Sequence, residues 1–154
     1  MKLSKLQQSM FWGEFARYAA CYHAKDKAEQ DAIRKELILK TCGKGSLTEV
    51  EKGLEFDVVL HTMAIVTGNT ALAERTANGN MRRMVALVYD NVKKIIGGAV
   101  GTEDIRRYCA GILRKRGMEV PDAEEWYTAI PPATLLSLVK ITSIAAKRIK
   151  NRPA

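Results

Sequence analysis

The chain has few of the residues that cross-link small secreted proteins or that break regular structure. Its 154 residues include three cysteines, four prolines and eleven glycines. An odd number of widely spaced cysteines is a poor disulfide framework and favours a reduced, cytoplasmic protein. Scarce proline and glycine exclude a collagenous or low-complexity chain. No apolar run approaches the roughly 20 residues of a membrane-spanning helix, so we expect no membrane partner.

The sequence also lacks a set of residues that would carry catalysis. Cys21 and His23 are two positions apart, and such residues point about 200° apart on a helix, so they do not predict a metal site. His61 lies on an apolar stripe and has no partner nucleophile or carboxylate in the pattern. The acidic pairs Glu103-Asp104 and Glu124-Glu125 stand where helices are expected to begin, and there they complement the helix dipole. We therefore expect no enzyme activity, no cofactor and no metal.

Hydrophobic periodicity is helical almost throughout, which predicts an all-α fold of about six to seven helices. The first predicted helix spans about residues 4–23, and Asp26 is expected to cap the second. The motif Ser46–Glu49 is typical of a capping box and predicts a third helix from there to about Thr67. The segment 56–66 is apolar on most sides and is expected to be central. One face of the first helix is aromatic: Phe11, Phe15, Tyr18 and Tyr22.

Residues 68–80 interrupt this pattern and predict a linker. Gly68-Asn69 and Asn78-Gly79 are turn dipeptides, and large apolar side chains are scarce between them. Asn80 is expected to cap a fourth helix, which would end at Gly97-Gly98. The predicted organisation is an N-terminal helical unit over 1–67, the linker over 68–80 and a C-terminal helical unit over 81–154. A single compact domain is the alternative.

The two halves have a weak internal similarity. Ile33-Arg34-Lys35 and Ile105-Arg106-Arg107 begin 72 positions apart, and Gly45 and Gly117 have the same separation. This favours two similar three-helix units packed together. Chance similarity between helical segments is the alternative.

Positive charge is concentrated in the second half of the chain. The whole chain has a net charge of +8. Residues 1–67 hold 10 basic and 9 acidic residues, whereas residues 68–154 hold 15 basic and 8 acidic residues. The cations come in clusters that are expected to follow helix faces and to contact a phosphate backbone. Two other interpretations stay open, a solvated surface and an acidic protein partner. The candidate nucleic-acid-binding residues are Arg82, Arg83, Lys93, Lys94, Arg106, Arg107, Arg114, Lys115, Arg116, Lys147 and Arg148.

Several segments together resemble a known family. The first half contains a short amphipathic helix, a turn with the pattern TCGKGSLTE and an acidic helix with the pattern LEFDVVL. The second half continues the likeness at residues 81–88, 108–117, 126–128 and 135–147. In these segments the chain resembles the Mu-like phage GemA regulatory protein family. Two stretches depart from that family: Val88-Tyr89 replaces a tryptophan of the middle helix, and Phe11 to Tyr22 replaces a basic start.

The resemblance implies a small helical phage or prophage protein of the bacterial host cytoplasm. Proteins of this family are associated with modulating host gene expression and DNA topology. No active-site residue follows from the resemblance. It therefore implies a non-enzymatic regulatory protein whose partner is duplex DNA or a host DNA-processing protein. An adaptor or inhibitor that binds an acidic host protein is the alternative.

Overall fold

The protein is all-helical, as the sequence predicts. The computed structural model describes residues 2–152, except for the side chains of residues 78 and 79, and no strand occurs in this part of the chain. Two short 3-10 turns, Leu47–Glu49 and Trp126–Ala129, precede the third and the last helix. Within residues 2–152 there are six α-helices: α1 Lys5–Cys21, α2 Lys27–Cys42, α3 Leu54–Thr67, α4 Thr70–Ile96, α5 Thr102–Arg114 and α6 Pro132–Lys150.

The chain divides into two compact units, here called unit 1 (Met1–Asn80) and unit 2 (Met81–Ala154). The boundary between them falls within α4. Unit 1 contains α1, α2, a 3-10 turn, α3 and the first part of α4, and unit 2 contains the rest of α4, α5, a 3-10 turn and α6. Ile33 and Ile105, one of the two pairs that suggested a 72-residue repeat, differ in burial: Ile105 is buried, whereas Ile33 is half-buried.

Unit 1 is built around α3, which contacts both α1 and α2. Since α3 is apolar on nearly every side, it can be buried against several neighbours at once. The aromatic face of α1 is confirmed: the ring centroids of Phe11 and Phe15 are 5.5 Å apart, and those of Phe15 and Tyr18 are 6.3 Å apart. Asp26 caps α2 as predicted, because its Oδ1 accepts a hydrogen bond from the Glu29 N–H at 2.8 Å.

The predicted linker over 68–80 is wrong for most of its length. Only Gly68 and Asn69 interrupt the helices: Gly68 ends α3 at φ +74°, and the Asn69 side chain accepts a hydrogen bond from the Leu72 N–H at 3.2 Å. From Thr70 onward the chain is helical, so Asn80 does not begin a helix. Ala, Leu, Glu and Arg in 71–77 favour a helix, and one interior glycine costs only about 1 kcal/mol.

The predicted capping box is also wrong. Ser46 begins only the 3-10 turn, and its side chain makes no capping hydrogen bond. Its hydroxyl contacts the Thr48 hydroxyl at 2.8 Å, while the Glu49 carboxylate accepts a hydrogen bond from the Gly45 N–H at 3.0 Å. Helix α3 starts only at Leu54, after Gly53 at φ +91°.

Unit 2 buries one stripe from each of its helices. Trp126 lies at its centre, and its Nε1 donates a hydrogen bond to the Tyr89 hydroxyl at 3.3 Å. Gly101 precedes α5, and its N–H donates a hydrogen bond to Asp104 Oδ2 at 3.0 Å. The buried residues include Met84, Val88 and Val92 of α4, Ile105, Cys109 and Leu113 of α5, and Leu135, Leu138 and Thr142 of α6.

Within residues 2–152, none of the helices combines the length and the hydropathy that crossing a membrane requires.

Candidate nucleic-acid interface

Four of the predicted cations lie on the outward side of α4. Arg82, Arg83, Lys93 and Lys94 are all exposed. Eleven residues make about three helical turns, so Arg82 aligns with Lys93 and Arg83 aligns with Lys94. Within the described residues none of the four takes part in an ion pair. These side chains are therefore available to an outside anion.

Arg106 and Arg107 of α5 have acidic partners inside the protein. The Arg106 guanidinium donates to both carboxylate oxygens of Glu103, at 2.9 and 2.5 Å, and lies 3.2 Å from Asp122 Oδ1. The Arg106 side chain is only 13% exposed. Arg107 donates to Glu103 Oε1 at 3.2 Å. These hydrogen bonds and charges lower the pKa of Glu103 to about 2 and raise that of Arg106. Both arginines are thus paired with acids, whereas the four cations of α4 take part in no ion pair within the described residues.

The remaining cluster of α5 is open to solvent. Arg114 ends the helix, and Lys115 and Arg116 follow in a turn that Gly117 closes at φ +77°. All three cations are exposed, and none is paired with an acid in the described part of the chain. None of the three lines the groove described below or the two cavities of unit 1. They can add positive potential to unit 2.

Two of the predicted cations, Lys94 of α4 and Lys147 of α6, converge at one groove. It has a volume of about 620 Å³. Its base is formed by Ala146, which is 8% exposed, and by half-buried Asn91, Ser143 and Ile149. Its rim is formed by three exposed lysines, which we call the groove lysines: Lys94, Lys147 and Lys150.

Helix periodicity explains how α6 presents its side of the groove. Ser143, Ala146, Lys147 and Lys150 follow the spacing i, i+3, i+4, i+7, which places four residues on one helix face. Arg148 is exposed but lies on another side of α6 and does not line the groove. One predicted cation of this cluster is therefore at the groove, and the other is not.

A polar contact fixes α4 and α6 beside the groove. The Asn91 side-chain amide donates a hydrogen bond to the Thr142 hydroxyl at 3.1 Å. Thr142 is fully buried, and its hydroxyl donates in turn to the Leu138 carbonyl oxygen at 2.7 Å. One turn further along each helix, Lys94 and Ala146 line the groove. The contact thus sets the position from which the groove lysines project.

The groove has a strongly positive setting. Helix α6 contains no acidic residue, and Asp90 is the one acid of α4 after residue 80. Among the described residues, no acid lines the groove or pairs with a groove lysine. The lysines also lie in the last turns of α4 and α6, where cations stabilise the negative end of a helix by about 0.3–1 kcal/mol each. Helix stabilisation alone would explain their positions along the helices, but not their convergence.

Sequence reasoning named Lys94 and Lys147 but left Lys150, Asn91 and Ser143 out of the candidate set. The i, i+3, i+4, i+7 pattern on α6 was the signal that would have added Ser143 and Lys150. Nothing local marks Asn91, because its partner Thr142 is 51 positions away.

His61 has polar partners, whereas Cys21 and His23 lie at and after the end of α1. His61 Nδ1 lies 3.2 Å from the Ala73 carbonyl oxygen and 3.0 Å from the Thr76 hydroxyl. Cys21 is exposed at the end of α1, and His23 follows in the turn at φ +55°. Over the described residues, no three His, Cys, Asp or Glu side chains form a group that could hold a metal ion.

Comparison of the chain with protein-family models, with curated proteins and with solved structures finds no match. The resemblance to the GemA family stays a prediction, and the function must be inferred from the geometry.

Proposed function

We propose that this is a regulatory protein of the phage or prophage type that binds duplex DNA in the bacterial cytoplasm and catalyses no reaction. The observation that carries this proposal is the convergence of Lys94, Lys147 and Lys150 at one groove of unit 2. Their charges come from helices about 50 residues apart in the chain, and no acid of the described residues pairs with them. A concentration of unpaired cations on one surface is the electrostatic signature of a phosphate-binding protein.

The outward side of α4 extends this surface. Arg83 and Lys94 are eleven residues apart, so their positions are separated by about 16 Å along the helix axis. That length corresponds to about five phosphates of one DNA strand at roughly 3.4 Å each. Arg82 and Lys93 lie on the same exposed side. The proposed contact surface therefore consists of the groove lysines, Arg82, Arg83 and Lys93, with Arg148 and the cluster Arg114–Arg116 adding long-range attraction.

The chemistry of the groove predicts binding with little dependence on DNA sequence. All three groove cations are lysines, which act as point charges, whereas arginine forms the paired hydrogen bonds that read guanine. Binding would be driven by release of the counterions condensed on DNA. The affinity should therefore fall steeply as salt concentration rises.

The test is a salt titration of DNA binding by fluorescence anisotropy, with a labelled duplex and the full chain. In the variant Lys94→Gln/Lys147→Gln/Lys150→Gln we expect the slope of log K against log salt to become shallower by about 2.7, because three phosphate contacts are lost. Over the range 50 to 200 mM salt, such a slope difference corresponds to a change of roughly 40-fold.

A matched control separates position from net charge. Lys27, Lys35 and Lys52 of unit 1 are exposed and make no ion pair within residues 2–152. The variant Lys27→Gln/Lys35→Gln/Lys52→Gln loses the same three charges and should keep most of the slope. Equal losses in the two triple variants, or no DNA binding at low salt, would contradict the proposal.

A further inference from the structure

We propose that the groove between α4 and α6 is also a docking site for an acidic amphipathic helix of a partner protein. The DNA-binding proposal uses only the charged rim of the groove. The base of the groove is a separate observation, and its side chains suit a different ligand. The two proposals share the groove lysines, so DNA and the helix would compete for the protein.

The base of the groove offers an apolar surface that phosphates cannot cover. Ile149 is half-buried there beside Ala146, and both face the space that the lysines surround. Nucleobases would need an aromatic ring or an arginine plane for stacking. None of the seven lining residues is aromatic or an arginine. Covering this base with the apolar side of a helix would remove the exposed part of Ile149 from water.

The rim of the groove selects the charge of the ligand. Lys94 projects from α4, whereas Lys147 and Lys150 project from α6. A helix lying between them would meet a cation on each flank. Acidic side chains on both flanks of its apolar stripe would therefore be complementary, and lysine or arginine there would be repelled.

The dimensions suit a short helical segment. On α6 the lining residues extend from Ser143 to Lys150, a distance of about 10 Å or two helical turns. A partner helix covering this distance presents apolar residues at i, i+3 or i+4, and i+7, which is the usual pattern of helix-in-groove recognition.

The probe is a fluorescein-labelled synthetic peptide of about 16 residues, with leucine at the i, i+3, i+4 and i+7 positions and glutamate on both flanks. Binding to the full chain is measured by anisotropy at physiological salt. The variant Ile149→Gln should weaken binding about tenfold, because the apolar contact is lost. Ile144→Gln is the matched control: it makes the same change at an exposed position of α6 outside the groove and should leave binding unchanged.

Two further measurements keep the test sharp. Ser143→Gln places a longer neutral side chain in the groove and should also weaken peptide binding, even if Ile149→Gln lowers the folded fraction. A peptide with the same composition in scrambled order, which has no apolar stripe, should bind at least tenfold more weakly. Equal binding of the two peptides, binding of neither, or equal effects of Ile149→Gln and Ile144→Gln would overturn the proposal.

A duplex DNA arm separates this inference from the proposed function. Ile149→Gln keeps all three groove lysines, so it should change DNA affinity less than about twofold. A loss of DNA affinity as large as the loss of peptide affinity would show that DNA occupies the base of the groove, and it would overturn the helix proposal. If only the lysine variant affects DNA and no peptide binds, the DNA proposal stands alone.

Discussion

The two units use their charged residues in opposite ways. Unit 1 has 11 basic and 10 acidic residues, and unit 2 has 14 and 7. In unit 1 two acids, Glu14 and Glu55, are buried, and Glu14 organises its polar neighbours. In unit 2 six of the seven acids lie between residues 103 and 125. Within the described residues, the exposed cations Arg82, Arg83, Lys93 and Lys94 of α4 and the groove lysines of α6 take part in no ion pair. Basic and acidic residues are therefore nearly equal in number in unit 1, whereas in unit 2 most of the acids lie in a different segment from the cations of α4 and α6.

The same contrast exists within unit 2. Arg106 and Arg83 are both arginines on helices, yet Arg106 is held by Glu103 and Asp122, whereas Arg83 is exposed and unpaired in the described part of the chain. Counting cations along the sequence treats the two alike. Their surroundings decide which one supports the fold and which one can meet a ligand.

The largest effect on stability is expected from Glu14 in unit 1. Its side chain is 6% exposed. The Thr67 hydroxyl donates to its Oε1, the Asn69 amide donates to its Oε2 at 3.1 Å, and Arg17 lies 3.7 Å away. Glu14→Gln should lower the free energy of unfolding by about 1–3 kcal/mol, because hydrogen bonds to a buried charged acceptor are lost. Urea unfolding measures this change.

The control is Glu74→Gln, which removes an exposed carboxylate of α4 and should change stability by less than about 0.5 kcal/mol. Hydrogen exchange should show faster exchange in α1 and α3 of the Glu14 variant. DNA affinity should stay within about twofold of the wild type, since no proposed phosphate contact is altered. If Glu14→Gln removes DNA binding while the fold is intact, the division of roles between the units is wrong.

A pair of arginine variants tests the contrast within unit 2. Arg83→Gln should lower the salt slope of DNA binding by about 0.9, the contribution of one phosphate contact, and should leave the melting temperature nearly unchanged. Arg106→Gln should do the reverse: it deprives two acids of their partner and lowers the melting temperature, while the salt slope stays the same. Anisotropy titrations and thermal melts followed by circular dichroism measure both properties.

The helices themselves could be predicted from the sequence because their signals are local. The aromatic spacing of α1 and the cap at Asp26 are confirmed. The predicted linker failed because Asn78-Gly79 has the composition of a turn, while its neighbours favour a helix. The dipeptide alone does not show whether its own turn preference or the helix preference of its neighbours is the stronger. The break itself, at Gly68-Asn69, lies at the start of the predicted segment.

The candidate site could be predicted only in part. Periodicity placed Lys94 and Lys147 on exposed faces, but their convergence depends on the packing of α4 against α6, and the Asn91–Thr142 contact that fixes it joins distant residues. The two ion pairs of Arg106 differ in how far they can be predicted from the sequence. Glu103 is three positions before Arg106 on the same helix, so the sequence can predict this ion pair. Asp122 comes close to Arg106 only through the tertiary fold.

A smaller effect is expected from Glu103→Gln. This change removes one negative charge and frees Arg107, so DNA affinity at low salt should rise by about twofold. Glu119→Gln is the matched control, since it removes one exposed charge of unit 2 without releasing an arginine. A rise in Glu103→Gln beyond that in Glu119→Gln would measure the restraint that Glu103 places on Arg107. Equal rises would mean that the restraint has no effect on binding.

The smallest effect is the pH dependence that Glu103 adds to stability. Its hydrogen bonds with Arg106, and then the charges of Arg106 and Arg107, lower the pKa from an ordinary 4.5 to about 2. Between these values the unfolded chain binds more protons at this site than the folded protein does. The stabilisation is therefore complete above pH 4.5 and is lost as the pH falls toward 2. Melting temperatures of the wild type and of Glu103→Gln should converge over this range, and the Glu103 carboxyl signal in NMR should titrate near pH 2. A carboxyl that titrates near 4.5 would show that the arginines are not held in solution, and both would return to the set of candidate phosphate contacts.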